Sequence, residues 1–321
     1  MSQLSFAEGT RLAQSLTENV QRVMVGQTTV VNDVVATLLA GGHCLIEGVP
    51  GLGKTLLARA LTQLLGGVYK RIQFTADLMP ADVSGHSMFD FQSQTFSVRK
   101  GPVFCNFLLA DEINRAPAKT QSSLLEAMQE RHVTIDGQTH HLPLPFMVLA
   151  TQNPIEQDGT YPLPQAQMDR FLSKILIDYP TADEEVQLVN LAAQGMDLSL
   201  DVSQLAALMN PETLQALQNV VKTLPCDAEV SDYMVRIVRA TRSHAALDTG
   251  AGPRASLALL QAARARALMN GNEFVTPDDV KYVAPMVLRH RIRLSAEFEI
   301  EGRRVDDVVA ELLQHIKAPR K

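Results

Sequence analysis

The sequence predicts an α/β fold, a parallel sheet with helices on both faces, followed by an all-helical second domain. Three observations predict it. Short apolar runs of strand length alternate with helical stretches up to residue 181, and a glycine-rich loop joins the first run to a long helix. Beyond Tyr179-Pro180-Thr181 every periodic segment is spaced for a helix and strand signals vanish. The expected domains are therefore 1–181 and 182–321, and 321 residues suit two domains.

Leu12, Leu16, Val20 and Val23 share one helical face, and Val30, Val34, Val35, Leu38 and Leu39 form a second stripe that Gly41-Gly42 stops. The first strand, His43 to Glu47, runs into Gly48, Pro50, Gly51 and Gly53, after which Leu56, Leu57, Ala60, Leu61, Leu64 and Leu65 mark a helix. Further strands are expected at Arg71 to Phe74, Val103 to Ala110, Phe146 to Thr151 and Lys174 to Ile177. Two excursions read as β-hairpins, Met88 to Val98 around Gln92-Ser93-Gln94 and Val133 to Leu142 around Asp136-Gly137. In the second domain helices are expected near 183–194, 211–223, 230–245, 254–270, 277–290 and 305–317. The one at 277 carries a capping box, Thr276-Pro277-Asp278-Asp279.

Composition excludes several classes. A hydrophobic share of 46% with 20% charged residues leaves no room for a long disordered tract. The net charge is −6 and the basic residues are scattered, so no cationic face is expected to hold nucleic acid. Cys44, Cys105 and Cys226 are odd in number and far apart, which argues against a disulfide framework or a C-x-x-C metal site. No signal peptide or membrane-spanning stretch is read, so a cytoplasmic protein without membrane insertion is expected.

The strongest signal is Gly48-Val49-Pro50-Gly51-Leu52-Gly53-Lys54-Thr55, which fits G-x-x-x-x-G-K-[ST] with a strand before it and a helix after it. Glycines let backbone N–H groups close around a phosphate, and the helix N-terminus adds a favourable dipole. Lys54 is expected to reach the β- and γ-phosphates and Thr55 to ligate Mg²⁺; Leu56 opens the helix behind them. Asp111-Glu112 ends the run Val103 to Ala110, where an open α/β sheet presents its ligand crevice. Asp111 suits the Mg²⁺ shell and Glu112 the polarising of an attacking water. On its own such a pair is often a solvated turn; beside the glycine loop it reads as chemistry.

Asn153, after the next strand, is placed to hydrogen-bond a γ-phosphate or water, although Asn-Pro is also a common turn opener. Arg170 is expected on a short helix after Pro164, where a surface Asp-Arg pair would also explain it. Arg254, in Gly252-Pro253-Arg254, sits in the first turn of a helix whose dipole opposes a cation, so a neighbouring anionic ligand is expected. His140-His141 are strand neighbours that point to opposite faces, so a metal pair is not expected of them.

Together the glycine loop at 48–55, Leu108-Leu109-Ala110-Asp111-Glu112-Ile113-Asn114-Arg115-Ala116, Gln121 to Glu130, Ala150-Thr151-Gln152-Asn153-Pro154 and Gly252-Pro253-Arg254 resemble the MoxR family of AAA+ ATPases over nearly the whole chain. The resemblance implies a P-loop αβα sandwich with inserted hairpins and a helical lid, and a homo-hexameric ring that converts ATP to ADP to remodel partner proteins. By the same resemblance Asn153 is the sensor 1 residue, Arg170 the arginine finger entering the neighbouring subunit's site, and Arg254 the sensor 2 residue. Val25-Gly26-Gln27 resembles the adenine-lining segment, and a von Willebrand factor A domain protein is the implied partner. Arg115 and Arg131 remain alternatives to Arg170 for the reach across an interface. The first hairpin departs from the family in turning at Gln92-Ser93-Gln94-Thr95, where relatives often carry Asp or Gly.

A GTPase would need N-K-x-D, which does not occur. A nucleic-acid remodeller of the same superclass would need a basic hairpin track, and the hairpins offer only Arg99 and Lys100 near one base. A magnesium-chelatase-type motor shares the same motifs and stays open.

Overall fold

The computed structural model describes residues 4–92, 94–154, 159–193, 202 and 205–319. Helices α1 (Phe6–Val23) and α2 (Thr28–Leu39) precede β1 (Cys44–Glu47) and α3 (Lys54–Leu65). After β2 (Tyr69–Gln73), α4 (Pro80–Ser84) leads into a hairpin of β3 (Gly85–Asp90) and β4 (Thr95–Lys100). Then come β5 (Phe107–Asp111), a 3-10 turn Ile113–Arg115, α5 (Ala118–Glu130), a second hairpin of β6 (His132–Ile135) and β7 (Gln138–His141), β8 (Met147–Gln152), α6 (Gln165–Met168) and β9 (Ser173–Leu176). The remainder is α7 (Ala182–Ala193), α8 (Pro211–Thr223), α9 (Ala228–Ala240), β10 (Leu247–Thr249), α10 (Pro253–Asn270), α11 (Pro277–Leu288), β11 (Arg293–Leu294), α12 (Ala296–Ile300) and α13 (Val305–His315).

The main sheet has the order β2-β5-β8-β1-β9, and every pairing in it is parallel. Alternation along each strand splits its residues between two cores. Cys44 and Ile46 of β1 and Leu109 of β5 face one core with α1 to α3, while Leu45, Leu108 and Ala110 face the other with Leu124, Leu125 and Met128 of α5. The first core runs without a break into the later helices, taking in Leu217, Tyr233, Leu259 and Val283. The strand-bearing part and the helical part thus share buried surface.

Both hairpins form. The second turns as its Asp-Gly predicts, with φ of 47° at Asp136 and 77° at Gly137, the pair of positive values a two-residue turn of this hand requires. The first extends further than expected at both ends, and Ser93 of its expected turn lies outside the described residues, as does residue 194 of the helix expected at 183–194. The capping box at Thr276 is present, with its hydroxyl accepting from the Asp279 N–H.

Three expectations need correction. Strand signals do not vanish after residue 181: β10 and β11 pair antiparallel, and Leu294 with Ala246, Val308 and Leu312 forms a small core of its own. Two- and three-residue strands are too short to show a period of two. The expected strand Val103 to Ala110 begins only at Phe107, because the Asn106 side chain braces the turn instead, accepting from the Val68 N–H and donating to the Pro145 carbonyl. Arg170 lies beyond the end of α6 rather than on it, the helix closing at Met168.

A candidate phosphate-binding cleft

β5, β8 and β1 are adjacent, so the residues that follow each of them meet at one end of the sheet. The glycine loop follows β1, Asp111 and Glu112 end β5, and Asn153 follows β8. A cleft of about 480 Å³ there is lined by Pro50, Gly51, Gly53, Lys54, Thr55, Leu56, Asp111, Glu112 and Asn153, with Arg71, Gln73 and Thr151.

Local geometry dictates the glycines. A Cβ at Gly48 would stand 2.5 Å from the carbonyl oxygen of Ile177, the residue after β9, so only glycine lets the loop start against it. Gly53, with φ of 82°, is the N-cap of α3 and provides no side-chain cap, which leaves the first N–H groups of the helix facing the cleft for an anion. The Lys54 ammonium folds back to donate to the Gly48 carbonyl. Burial pushes its pKa down, while the charges of Asp111, Glu112 and Glu47 push the other way.

Thr151 of β8 organises the acids. Its hydroxyl donates to Oδ1 of Asp111 at 2.6 Å and accepts from the Glu112 N–H at 2.8 Å. That second bond helps hold Glu112 at a φ of 55°, unusual for a residue with a side chain. Oε2 of Glu112 then accepts from Nε2 of Gln73 at 2.7 Å and from Nη1 of Arg115 at 3.1 Å. Oδ2 of Asp111 is paired with Arg71 at 2.6 Å. Sequence reasoning missed Arg71, Gln73 and Thr151. The signal available was the polar alternation Arg71-Ile72-Gln73 at the carboxyl end of a strand.

Gly48 and Leu52 belong to the loop without lining the cleft; Leu52 packs on the large core. Val25-Gly26-Gln27 follows Met24, whose Cε would stand 3.2 Å from a Cβ on Gly53, so this segment abuts the glycine loop. Gln27 donates from Nε2 to the Asp178 carbonyl at 3.1 Å, and the Glu184 side chain closes over Gly26.

Arg170 and Arg254 lie elsewhere. Arg170 donates to the Leu125 carbonyl at 2.9 Å and lines a hollow beside Glu126 and Glu130 of α5. Arg254, 71% exposed, lies 3.9 Å from Asp169. The expected anion near this helix start is therefore supplied by the chain itself, and the dipole argument alone calls for no ligand. Arg115 is paired with Glu112 beside the cleft, whereas Arg131 stands with Gly41 and Phe146 at the amino end of β1 and β8. His140 lies edge-on to Phe104 and His141 to His132, on opposite faces.

Thr55 and Asp111 bring a hydroxyl and a carboxylate, hard oxygen donors of the kind Mg²⁺ takes, into the cleft that can hold phosphate. Among the described residues no group of three or more His, Cys, Asp or Glu gathers into a metal cage. Two protein oxygens beside a phosphate loop suit a cation that arrives with its nucleotide.

Comparison with known proteins bears on family and fold. Residues 43–173 match the family model "ATPase family associated with various cellular activities (AAA)" and residues 239–312 match "AAA lid domain". The chaperone MoxR1 of Mycobacterium tuberculosis is 43% identical over 310 residues, covering 94% of this chain and 81% of its own. The uncharacterized protein YeaC of Bacillus subtilis is 45% identical over 302 residues, covering 94% and 93%. A crystal structure of a candidate ATPase from Cytophaga hutchinsonii superposes with a TM-score of 0.89 at 37% identity, covering 98% of this chain and 97% of the other.

Proposed function

Because the chain belongs to the MoxR family of AAA+ ATPases, we propose that it hydrolyses ATP to ADP and phosphate in the cleft where β1, β5 and β8 end, and couples that cycle to remodelling partner proteins. One observation carries the enzymatic reading. Lys54 and Thr55 at the start of α3 share a single cleft with Asp111 and Glu112 at the end of β5.

In this reading the N–H groups at the start of α3 and the Lys54 ammonium bind the β- and γ-phosphates. Thr55 and Asp111 would hold Mg²⁺, which when bound supplies positive charge to the phosphate oxygens. Glu112 accepts a hydrogen bond from the attacking water and aims it at the γ-phosphorus, with Gln73 and the Thr151 hydroxyl fixing the carboxylate and backbone of Glu112. Asn153 lines the same cleft and suits the γ-phosphate or that water. Arg170 acts in a neighbouring subunit of a homo-hexamer, Arg254 is contributed by the lid, and Val25-Gly26-Gln27 lies on the adenine side. Residues 1–181 form the nucleotide domain and 182–321 the lid.

A protein with a von Willebrand factor A domain is the proposed partner, and the cytoplasm the proposed location. Among the described residues no helix is long and apolar enough to cross a membrane. Nucleic acid is disfavoured as a client, since the net charge is −6 and the hairpin bases offer only Arg99 and Lys100.

Equilibrium binding of a fluorescent ATP analogue to Lys54→Ala and Glu112→Gln tests the site. Lys54→Ala is expected to abolish binding, and Glu112→Gln to keep it while turnover falls. Equal loss of binding in both would make Glu112 structural.

A further inference from the structure

Arg71 lines the cleft without belonging to the glycine loop or to the acids. On β2 the buried Ile72 faces the core, so Arg71 and Gln73 on either side of it both face the cleft. Nη2 of Arg71 donates to Oδ2 of Asp111 at 2.6 Å and to Oε1 of Gln73 at 3.2 Å. Nε2 of Gln73 in turn donates to Oε2 of Glu112 at 2.7 Å. One guanidinium thus neutralises Asp111 and is tied, through a single amide, to Glu112.

We propose that Arg71 is a positioning residue that holds the place of the metal's charge on Asp111 and yields it when nucleotide and Mg²⁺ load. The proposal rests on the reading of Asp111 as part of the metal shell and deepens it. The carboxylate has a second anchor, the Thr151 hydroxyl on Oδ1, so losing Arg71 leaves its orientation fixed. A guanidinium and a divalent cation on one carboxylate repel each other, so each weakens the other's hold on Asp111. With side-chain exposures of 48% for Arg71 and 18% for Asp111, the pair lies between a surface and a buried ion pair, and the long arginine has water to move into. In this proposal metal loading displaces that pair, which raises the metal concentration needed by the factor the pair is worth. When Arg71 leaves, Gln73 loses the donor on its Oε1, so the hold on Glu112 responds to the metal.

The test is binding of a fluorescent non-hydrolysable ATP analogue to the full chain, in EDTA and across a Mg²⁺ titration, for wild type, Arg71→Ala, Arg71→Lys and Asp111→Asn. Arg71→Ala is expected to lower the half-maximal Mg²⁺ about threefold to tenfold and to leave binding in EDTA within about twofold. Arg71→Lys, which keeps the charge and loses the planar Nη2 that joins Asp111 to Gln73, falls between wild type and Arg71→Ala, and it carries the test if melting shows Arg71→Ala unfolded. Should Asp111→Asn remove the Mg²⁺ enhancement while the Arg71 variants leave its midpoint unchanged or raised, the proposal is overturned and the reading of Asp111 stands. Loss of binding in EDTA in the Arg71 variants would make Arg71 a phosphate ligand and overturn it too. A full Mg²⁺ enhancement in Asp111→Asn overturns the reading of Asp111 and the proposal with it.

Discussion

Asp169→Ala is expected to destabilise the chain by about 2–4 kcal/mol, because it strands a buried cation. Arg291, three residues past the end of α11, has only 4% of its side chain exposed, and its Nε donates to Oδ1 of Asp169 at 2.7 Å. Its other nitrogens donate to the carbonyls of Leu172, Phe171 and Val287. Removing one partner of a fully buried pair costs about 3–5 kcal/mol; here the carbonyls remain and Asp169 is 27% exposed, so the lower figure applies. The second cation on Asp169, Arg254, is 71% exposed at 3.9 Å, and Arg254→Ala should cost no more than about 1 kcal/mol of stability. The assay is denaturant unfolding of the full chain, comparing midpoints at constant slope. In an Arg291→Met background Asp169→Ala should cost under about 1 kcal/mol, since no buried charge is left to strand. If Asp169→Ala costs the same in both backgrounds, the reasoning from the buried cation is wrong.

Mixing inactive Arg170→Ala with inactive Lys54→Ala subunits should restore ATPase activity in part, by pairing an intact cleft with an intact arginine; a flat zero line at every ratio, with mixed rings confirmed by light scattering, contradicts a role across the interface. Arg254→Ala should weaken ATP more than ADP by calorimetry, and equal effects on both would remove its sensor role. His43 gives a pH dependence: its Nδ1 accepts from the Val148 N–H and its Nε2 faces the Met128 carbonyl, so burial as the neutral ring lowers its pKa from 6.5 to about 4. A depressed histidine is fully stabilising above its unfolded pKa and loses that stabilisation as pH falls from about 6.5 towards 4, so unfolding at pH 4.5 against pH 7 should show wild type losing about 2–3 kcal/mol more than His43→Gln.

What the sequence showed clearly was whatever sits at the end of a strand. The runs ending at Glu47, Ala110 and Thr151 each deliver their polar residues to one edge, and the alternation of strands with helices already implied that those ends meet. Thr151, Arg71 and Gln73 were not legible, because their importance comes from strand order and register. Gln73 is opposite Asp111 only once β2 has paired with β5, and Thr151 reaches Asp111 only because β8 lies on β5's other side. Arg254 shows the converse: its place at a helix start was read correctly, yet the anion beside it is Asp169, far away in the sequence.

Asp169 also links the two halves. Its carboxylate and the carbonyls of Phe171 and Leu172 are all held by Arg291, and Nε2 of His290 lies 3.1 Å from the same Phe171 carbonyl. Arg170 is therefore the middle of a segment fastened on both sides to the turn that follows α11. Residues 169–172 are held equally by the strand-bearing part, where Phe171 is buried in the second core, the Leu172 N–H donates to the His43 carbonyl and the Arg170 guanidinium donates to the Leu125 carbonyl of α5. The backbone that carries Arg170 is thus braced from both parts of the chain, by Arg291 on one side and by α5 and β1's neighbour His43 on the other.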